Sequence, residues 1–222
     1  MARIPADPEG FIRANTALEA PSMVPEFKLW LASEYVPIWQ ATEDWLSAHN
    51  VDPPYWAFCW PGGQAVARYL LDHPEMVRGK HVADFAAGSG VASLAAARAG
   101  AVRVIANDID ALSLAAVGLN ALANGLAIDT SIEDWLAGPD GEPATEVVVA
   151  GDVCYEREMS ARALAWLRSH ARKDRLVLLG DPGRNYFSAQ RLEELARYEI
   201  PTSLQLENRG MRETVVWRVL PD

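Results

Sequence analysis

The chain has 222 residues, of which 50% are hydrophobic and 23% charged, and this suits one large globular domain. Its formal net charge of −10 excludes a broad electrostatic attraction to nucleic-acid phosphate, because such binding requires a basic surface that displaces counterions. The negative charge either steers a basic protein partner towards the molecule or serves only to keep the chain in solution.

The N-terminal sequence predicts a cytoplasmic protein. It lacks the apolar run of about 7–15 residues that a signal peptide requires. No segment approaches the roughly 20 apolar residues of a membrane span. Cys59 and Cys154 lie far apart and the histidines are scattered, so we expect a reducing compartment and no metal site. We therefore expect a cytoplasmic monomer that binds neither membrane nor nucleic acid.

Residues 1–50 show helical spacing of apolar and aromatic side chains without alternation at period two, which predicts a layer of helices. Asp52, Pro53 and Pro54 interrupt this pattern, since consecutive prolines favour an extended connection. We therefore divide the chain into an N-terminal helical extension, residues 1–53, and a main domain, residues 54–222.

In the main domain, apolar runs that predict strands alternate with segments of helical periodicity. Helices are predicted over residues 62–73, 91–99, 111–124, 157–170 and 188–197. Strands are predicted over residues 81–85, 102–106, 127–132, 146–150, 175–180, 203–208 and 213–220. The last two strands have no helix between them and are expected to form an antiparallel hairpin. This alternation is typical of a doubly wound α/β fold with a mostly parallel sheet.

The segment that follows the first strand of this domain carries the strongest functional signal. Asp84 lies near the strand end, and Gly88 and Gly90 follow where the chain must turn and admit a ligand close to the backbone. Ligands of open α/β sheets bind at this edge, beside the N-terminus of the next helix. The dinucleotide motif GxGxxG and the phosphate-binding P-loop are both absent. The segment instead resembles the DxGxGxG signature of seven-strand methyltransferases, with Ala86 in place of the first glycine.

Two further strand ends extend this predicted cofactor site. Asp108 ends the second strand, where its carboxylate would accept both ribose hydroxyls of an adenosyl group. The alternative role of Asp108, a helix cap, is better filled by Asp110. After the third strand, Asp134 is placed to bind the adenine amino group while Ile109 packs against the ring. Trp135 either contacts the adenine or belongs to the core.

A wider likeness is carried by this turn and by four other segments. They are PYWAFCWPGGQ at 54–64, NDID at 107–110, GDVCYE at 151–156 and GDPGR at 180–184. On these segments the chain resembles the family of electron transfer flavoprotein β-subunit lysine methyltransferases, and more distantly the ribosomal protein L11 methyltransferases. The resemblance implies S-adenosylmethionine as cofactor, a seven-stranded sheet of order 3-2-1-4-5-7-6 with the last strand antiparallel, and methyl transfer to a lysine ε-amine. It also implies the flavoprotein β-subunit as protein substrate, with an L7/L12- or L11-like ribosomal protein as second candidate.

The acceptor side of the expected site lies at the ends of the fourth and fifth strands. We assign Asp152 and Tyr155 as catalytic, Asp152 to orient the lysine amine unless it only caps a helix. An aromatic, partly desolvated pocket would favour the neutral amine and attract the methylated ammonium. Trp56 is assigned to this pocket unless it only packs in the core. Trp60 is placed to contact the methionine portion of the cofactor.

Asp181 and Arg184 are the remaining candidates for substrate binding. Asp181 begins an Asp-Pro-Gly sequence that is typical of a turn, and Arg184 either stabilises that loop through an ion pair or contacts the substrate. Two other functions stay open at this point. One is methyl transfer to a small molecule, which would need a closed acceptor pocket. The other is a partner protein that binds S-adenosylmethionine without catalysis.

Overall fold

The computed structural model describes residues 5–32, 53–138, 144–202, 207 and 210–221. The α-helices are α1 Pro8–Asn15, α2 Pro61–Asp72, α3 Val91–Arg98, α4 Ala111–Ala123 and α5 Arg157–Ala171. The strands are β1 Ala17–Glu19, β2 Leu29–Leu31, β3 His81–Phe85, β4 Arg103–Asn107, β5 Asp129–Ser131, β6 Val147–Gly151, β7 Leu176–Asp181, β8 Leu192–Pro201 and β9 Met211–Val219. Single 3₁₀ turns cover Tyr55–Ala57 and Pro74–Met76.

The central sheet has seven strands in the order β5-β4-β3-β6-β7-β9-β8. Strands β3 to β7 pair in parallel, and β9 runs antiparallel to both of its neighbours. Counted from β3, this is the order 3-2-1-4-5-7-6, so the expected topology is confirmed. The parallel strands bring their carboxyl ends to one edge, where ligands of doubly wound sheets bind.

Helices cover both faces of this sheet. On one face, α2 and α3 bury Val66, Leu70 and Leu94 against the strands. On the other face, α5 buries Ala163 and Leu167. This double cover explains why β6 is a continuous apolar run, since every side chain from 147 to 150 is 0% exposed. Within the described ranges, no helix is long and apolar enough to cross a membrane.

The helix predicted over residues 188–197 is wrong, because β8 occupies Leu192–Pro201. Leucine, glutamate, alanine and arginine in this stretch favour a helix, but their propensities differ by only about 0.7 kcal/mol per residue. Pairing with β9 from Leu192 to Pro201 satisfies the backbone instead, and this tertiary gain outweighs the local preference. The strand predicted over 203–208 falls outside the described residues except for Glu207, whereas the final strand is confirmed as β9.

The N-terminal extension is not helical throughout. Helix α1 begins after Asp7, which accepts a hydrogen bond from the Gly10 N–H at 2.9 Å. Beyond α1, β1 and β2 pair antiparallel, a difference from the predicted helical layer. The backbone N–H of Trp30 in β2 donates to the Asn120 side chain of α4 at 2.7 Å, so contact with the main domain favours an extended chain here. The rest of the predicted helical layer, residues 33–52, lies outside the described residues.

Candidate active site

The N-terminus of α2 lies directly over the ends of β6 and β7, and three glycines make this contact possible. A Cβ added to Gly62 would stand 2.5 Å from the Asp152 carboxylate and still closer to the Gly180 carbonyl oxygen. A Cβ added to Gly151 would stand 2.5 Å from the backbone nitrogen of Gly63. Backbone therefore packs on backbone at this point, which only glycine allows. The N–H groups of the first turn of α2, which have no partner within the helix, thus point at the end of β6.

The predicted cofactor turn connects β3 to α3 through three residues in the left-handed region. The φ angles are +53° at Ala86, +53° at Gly88 and +76° at Gly90. A Cβ at Gly90 would stand 2.8 Å from Val117 of α4, whereas a Cβ at Gly88 would meet no atom within 4 Å. Gly88 therefore borders open space that a ligand can fill, while Gly90 is required for packing. Ala86 adopts a backbone conformation that costs about 1–2 kcal/mol for an L-residue.

Asp84 supports this turn from the inside. Its carboxylate accepts hydrogen bonds from the Ser93 N–H at 3.0 Å and the Ser93 hydroxyl at 2.6 Å. The N-cap residue of α3 is Gly90, which has no side chain to offer, so Asp84 provides the cap from the preceding strand. Asp84 is 2% exposed, and burial raises its pKa to about 7. Its assignment as a cofactor ligand stays a prediction, and the contacts present are those of a helix cap.

Asp108 lies at the end of β4 beside the turn. Its carboxylate accepts hydrogen bonds from the N–H groups of Gly88 and Asp110, each at 3.0 Å, and burial raises its pKa. Asp110 is the N-cap of α4 and accepts the Leu112 N–H at 2.9 Å, so Asp108 does not serve as that cap. The next residue, Ile109, is 73% exposed beside this carboxylate. Asp108 therefore joins the second strand end to the turn.

The third predicted strand end divides into an exposed and a buried part. Asp134 is exposed and accepts the Leu136 N–H at 2.9 Å. Trp135 is 2% exposed and stacks on Trp166 of α5 with ring centroids 5.8 Å apart, which favours the core alternative for Trp135. A residue that sequence analysis missed ties this loop to β4, since the Asn107 amide donates to the carbonyls at 131 and 133. Asn107 begins the NDID segment that carries the family likeness, but that segment does not indicate which carbonyls the amide binds.

The residues at the ends of β3 and β4 fit an adenosyl group. The open space at Gly88 lies beside the Asp108 carboxylate, which accepts the Gly88 N–H, and the next residue, Ile109, has an exposed side chain. A carboxylate that accepts from a hydroxyl pair and an apolar face for a base are the two contacts such a nucleoside needs. The free N–H groups at the start of α3 add partial positive charge at the same edge.

Asp152 lies at the end of β6 with a φ of +58° and 8% exposure. One carboxylate oxygen accepts the N–H groups of Gly62 and Gly63, the second of these at 3.3 Å. The other oxygen accepts Nε and Nη2 of Arg184, at 2.9 and 2.6 Å. Burial raises the pKa of Asp152, and the charge of Arg184 opposes that rise. A strained, buried carboxylate at a strand end is typical of a functional site, and here it also caps α2.

Arg184 connects Asp152 to residues that sequence analysis did not find. Its guanidinium donates to both carboxylate oxygens of Glu207, at 3.0 and 2.7 Å, and Glu207 also accepts Nε of Arg212 at 2.8 Å. The guanidinium carbon lies 5.6 Å from the centroid of the Trp60 ring. The ion-pair alternative for Arg184 is therefore present in the structure. Glu207 carried no signal in the sequence, because nothing in its surroundings distinguishes it from a surface acid.

Asp181 shapes the loop that carries Arg184. One carboxylate oxygen accepts the N–H groups of Gly183 and Arg184, each at 2.7 Å, in the turn that the Asp-Pro-Gly sequence indicates. The other oxygen is buried and has no hydrogen-bond partner among the described residues. Burial raises the pKa of Asp181 to about 6, and the charge of Asp152 adds to this rise. Substrate binding by Asp181 stays a prediction.

Three aromatic side chains lie together, and one of them, Trp60, contacts the Arg184 guanidinium that pairs with Asp152. Tyr55 and Tyr155 are 48% and 46% exposed, with ring centroids 5.5 Å apart. Trp60 lies 6.2 Å from Tyr55 and donates its indole N–H to the Tyr55 carbonyl at 2.9 Å. Burial raises the pKa of Tyr155, as do the neighbouring Tyr55 and the charge of Asp108. Tyr155 therefore belongs, with Tyr55, to the exposed part of this aromatic group.

Trp56, by contrast, belongs to the core. It is 0% exposed and packs with Ile12, Leu112 and Ala116. This position favours the packing alternative for Trp56, and it leaves Tyr55, Trp60 and Tyr155 as the aromatic wall of the site.

Comparison with known proteins identifies the relatives of this chain. The family of ribosomal protein L11 methyltransferases (PrmA) matches residues 69–152. The chain is 38% identical to the electron transfer flavoprotein beta subunit lysine methyltransferase of Xenopus laevis, across 96% of this chain and 87% of that protein. It is 36% identical to the Homo sapiens protein of the same description, across 97% of this chain and 84% of that one.

Solved structures support the fold. Magnesium protoporphyrin IX methyltransferase from Synechocystis PCC 6803, with bound S-adenosylmethionine, is 17% identical with a TM-score of 0.53, over 85% of this chain and all of that one. Ribosomal protein L11 methylase from Lactobacillus delbrueckii subsp. bulgaricus is 24% identical with a TM-score of 0.50, over 71% of this chain and 78% of that one. Identity above 30% to the curated relatives extends over nearly the whole chain. This chain therefore belongs to the family of electron transfer flavoprotein β-subunit lysine methyltransferases, and it is an enzyme that uses S-adenosylmethionine.

Proposed function

We propose that this protein transfers methyl groups from S-adenosylmethionine to lysine side chains of an electron transfer flavoprotein β-subunit. The observation that carries the proposal is the buried Asp152 carboxylate at the end of β6, which the Arg184 guanidinium connects to the aromatic group of Trp60, Tyr55 and Tyr155. This arrangement provides a carboxylate that can accept a hydrogen bond from an amine, near an aromatic rim, Tyr55 and Tyr155, that a protein surface can reach. The relatives named as electron transfer flavoprotein beta subunit lysine methyltransferases support the choice of partner.

The cofactor, when bound, supplies a methyl group on a positively charged sulfur. The chain then has to align a nucleophile with that methyl group, and alignment alone can account for a large part of the acceleration. We assign cofactor binding to Gly88, Gly90 and Asp108, with Ile109 packed against the adenine base. Ala86 and Asp84 hold the shape of the turn in this proposal, and Asp134 binds the base from the exposed loop.

The acceptor lysine must lose a proton to solvent before transfer, since its ordinary pKa is about 10.4. Tyr55, Trp60 and Tyr155 form an apolar surround that disfavours the ammonium by desolvation. The faces of the same rings attract the methylated ammonium after transfer. In this proposal Asp152 orients the amine and balances its residual positive charge, and Tyr155 lies between the amine and the nucleoside.

A protein substrate is favoured over a small molecule by the exposure of the aromatic rim. A small-molecule enzyme would enclose its acceptor, whereas Tyr55 and Tyr155 are each nearly half exposed. The net charge of −10 favours a basic patch on the partner. An L7/L12- or L11-like ribosomal protein is the second candidate substrate. We further propose that the enzyme acts as a cytoplasmic monomer.

The test is methyl transfer from radiolabelled S-adenosylmethionine to an extract of cells that lack this protein. We expect one labelled protein band, identified by mass spectrometry as the flavoprotein β-subunit with methylated lysine. A reaction without the enzyme is the control. Label in a ribosomal protein would replace the proposed partner, and label only in small metabolites would overturn the substrate class. Calorimetric binding of S-adenosylhomocysteine without any labelled product would identify a non-catalytic partner protein instead.

A further inference from the structure

The carboxylate of Asp152 has no free position for an amine in this structure. A carboxylate accepts about four hydrogen bonds through the lone pairs of its two oxygens. Gly62 and Gly63 donate to one oxygen, and Nε and Nη2 of Arg184 donate to the other. A lysine amine can therefore bind Asp152 only if one of these donors leaves.

The two backbone donors are held in place. They belong to the first turn of α2, which packs on Gly151 and Gly180 without room for a Cβ. Any movement of these N–H groups would have to displace the helix from the sheet. The side-chain donor is the one that can be exchanged.

Arg184 has a second anionic partner, Glu207, which would hold the guanidinium if it left Asp152. Glu207 is 4% exposed and accepts two hydrogen bonds from the guanidinium, and the Trp60 ring lies against the same group. If Arg184 leaves Asp152, its charge is still paired with Glu207. The charge of Asp152 is paired as well, provided that the group that arrives is a cation. A buried charge without a partner, the costly outcome, is avoided on both sides.

We propose that Arg184 occupies the position of the acceptor lysine on Asp152, and that Glu207 is the positioning residue that retains Arg184 when the lysine displaces it. The inference rests on the proposed function, because it concerns the same acceptor site. It makes the Asp152–Arg184 pair a determinant of acceptor binding: the lysine enters as an ammonium that donates to Asp152 in place of Arg184, and it loses its proton to solvent only afterwards, within the aromatic surround.

The variant Glu207→Gln tests this inference, because it keeps the shape of residue 207 and removes its charge. The guanidinium is then held mainly by Asp152, and the lysine has to displace a stronger pair. We expect KM for the protein substrate to rise about tenfold, which corresponds to roughly one charged hydrogen bond. The turnover number should fall by less than KM rises, and affinity for S-adenosylhomocysteine should be unchanged. The control is Glu213→Gln, since Glu213 on the same hairpin is exposed and pairs with Arg197.

A second variant, Arg184→Lys, gives the opposite expectation. Lysine binds a carboxylate as a point charge without the planar fork of arginine, so it should be displaced more easily. We expect KM to fall about threefold, in the opposite direction to Glu207→Gln. Melting temperatures show whether each variant is folded, and Arg184→Lys decides the matter if Glu207→Gln is not.

The outcomes are distinguishable. A lower turnover number with unchanged KM in both variants would mean that Arg184 is a static clamp, and it would overturn this inference while the proposed function stands. A wild-type enzyme that labels no protein would overturn the proposed function and this inference together.

Discussion

The cofactor side and the acceptor side of this site are built in different ways. On the cofactor side, Asp84 caps a helix 9 residues away and Asp108 binds a glycine 20 residues away. On the acceptor side, Asp152 binds Gly62 across 90 residues, and Arg184 reaches Asp152 across 32 residues. The turn and the Asp108 carboxylate of the cofactor side belong to a single unit, β3-α3-β4, whereas the acceptor side exists only when distant segments meet. Substitutions should therefore separate the two sides.

The largest effect is expected for Asp152→Asn. The substitution keeps the shape of the side chain and removes the charge that orients the amine, so we expect turnover to fall about 10³-fold. The cofactor side contains its own contacts and should be unaffected. Calorimetry with S-adenosylhomocysteine should therefore give an affinity within about threefold of wild type. A large loss of cofactor affinity would show that the two sides are not independent.

The second-largest effect is the pH dependence of the free energy of unfolding that Asp84, on the cofactor side, causes. The pKa of Asp84 is raised to about 7 in the folded protein, so the native state binds a proton that the unfolded state releases near its ordinary pKa of about 4. Stability from this group is present at low pH and is lost as pH rises towards about 7, by as much as about 4 kcal/mol.

Urea unfolding between pH 4 and pH 8 checks this expectation against Asp84→Asn, which does not titrate. The stability of wild type relative to the variant should fall as pH rises through this window and then level off. Ser93→Ala removes a hydrogen bond that lowers the pKa of Asp84, so it should move the change to higher pH. A difference that is constant with pH would show that Asp84 is not perturbed.

Gly62→Ala should disrupt the acceptor side through steric overlap alone. The new Cβ would collide with backbone at Gly180 and with the Asp152 carboxylate, neither of which can yield without moving α2. We expect the free energy of unfolding to fall by about 3 kcal/mol in urea denaturation. Gly118→Ala is the matched control, because Gly118 lies in α4 with open space at its Cβ position, and its variant should be slightly more stable. Equal effects at the two positions would contradict this account of the contact.

The smallest effect is expected for Ala86→Gly, which sharpens the comparison on the cofactor side. Ala86 adopts a φ of +53°, and glycine removes the strain of this conformation. Part of that gain is offset by the greater freedom of glycine in the unfolded chain, which leaves a net stabilisation of about 0.5–1 kcal/mol. Thermal unfolding measures it. Ala87→Gly is the control, since residue 87 has no positive φ and should lose stability.

Prediction from sequence was most complete for the cofactor side. The turn with Gly88 and Gly90 was expected, and the structure gives both a positive φ. The role of Asp84 as a helix cap was not expected, because its partner Ser93 lies beyond the turn. Trp56 was assigned to the acceptor pocket and Trp135 to the adenine, each with the core as the alternative, since aromatic side chains suit a core and a binding pocket equally well. Their burial decides in favour of packing.

The sequence by itself determined the alternation of strands and helices, the sheet order through its resemblance to a family, and the position of the cofactor turn. These features follow from periodicity and from turn residues that act within a few positions along the chain. Tertiary structure alone decided that residues 192–201 form a strand and that Asp152, Arg184 and Glu207 share one charge network. The physical reason is that backbone pairing and ion pairs between distant segments depend on spatial proximity, for which local sequence carries no signal.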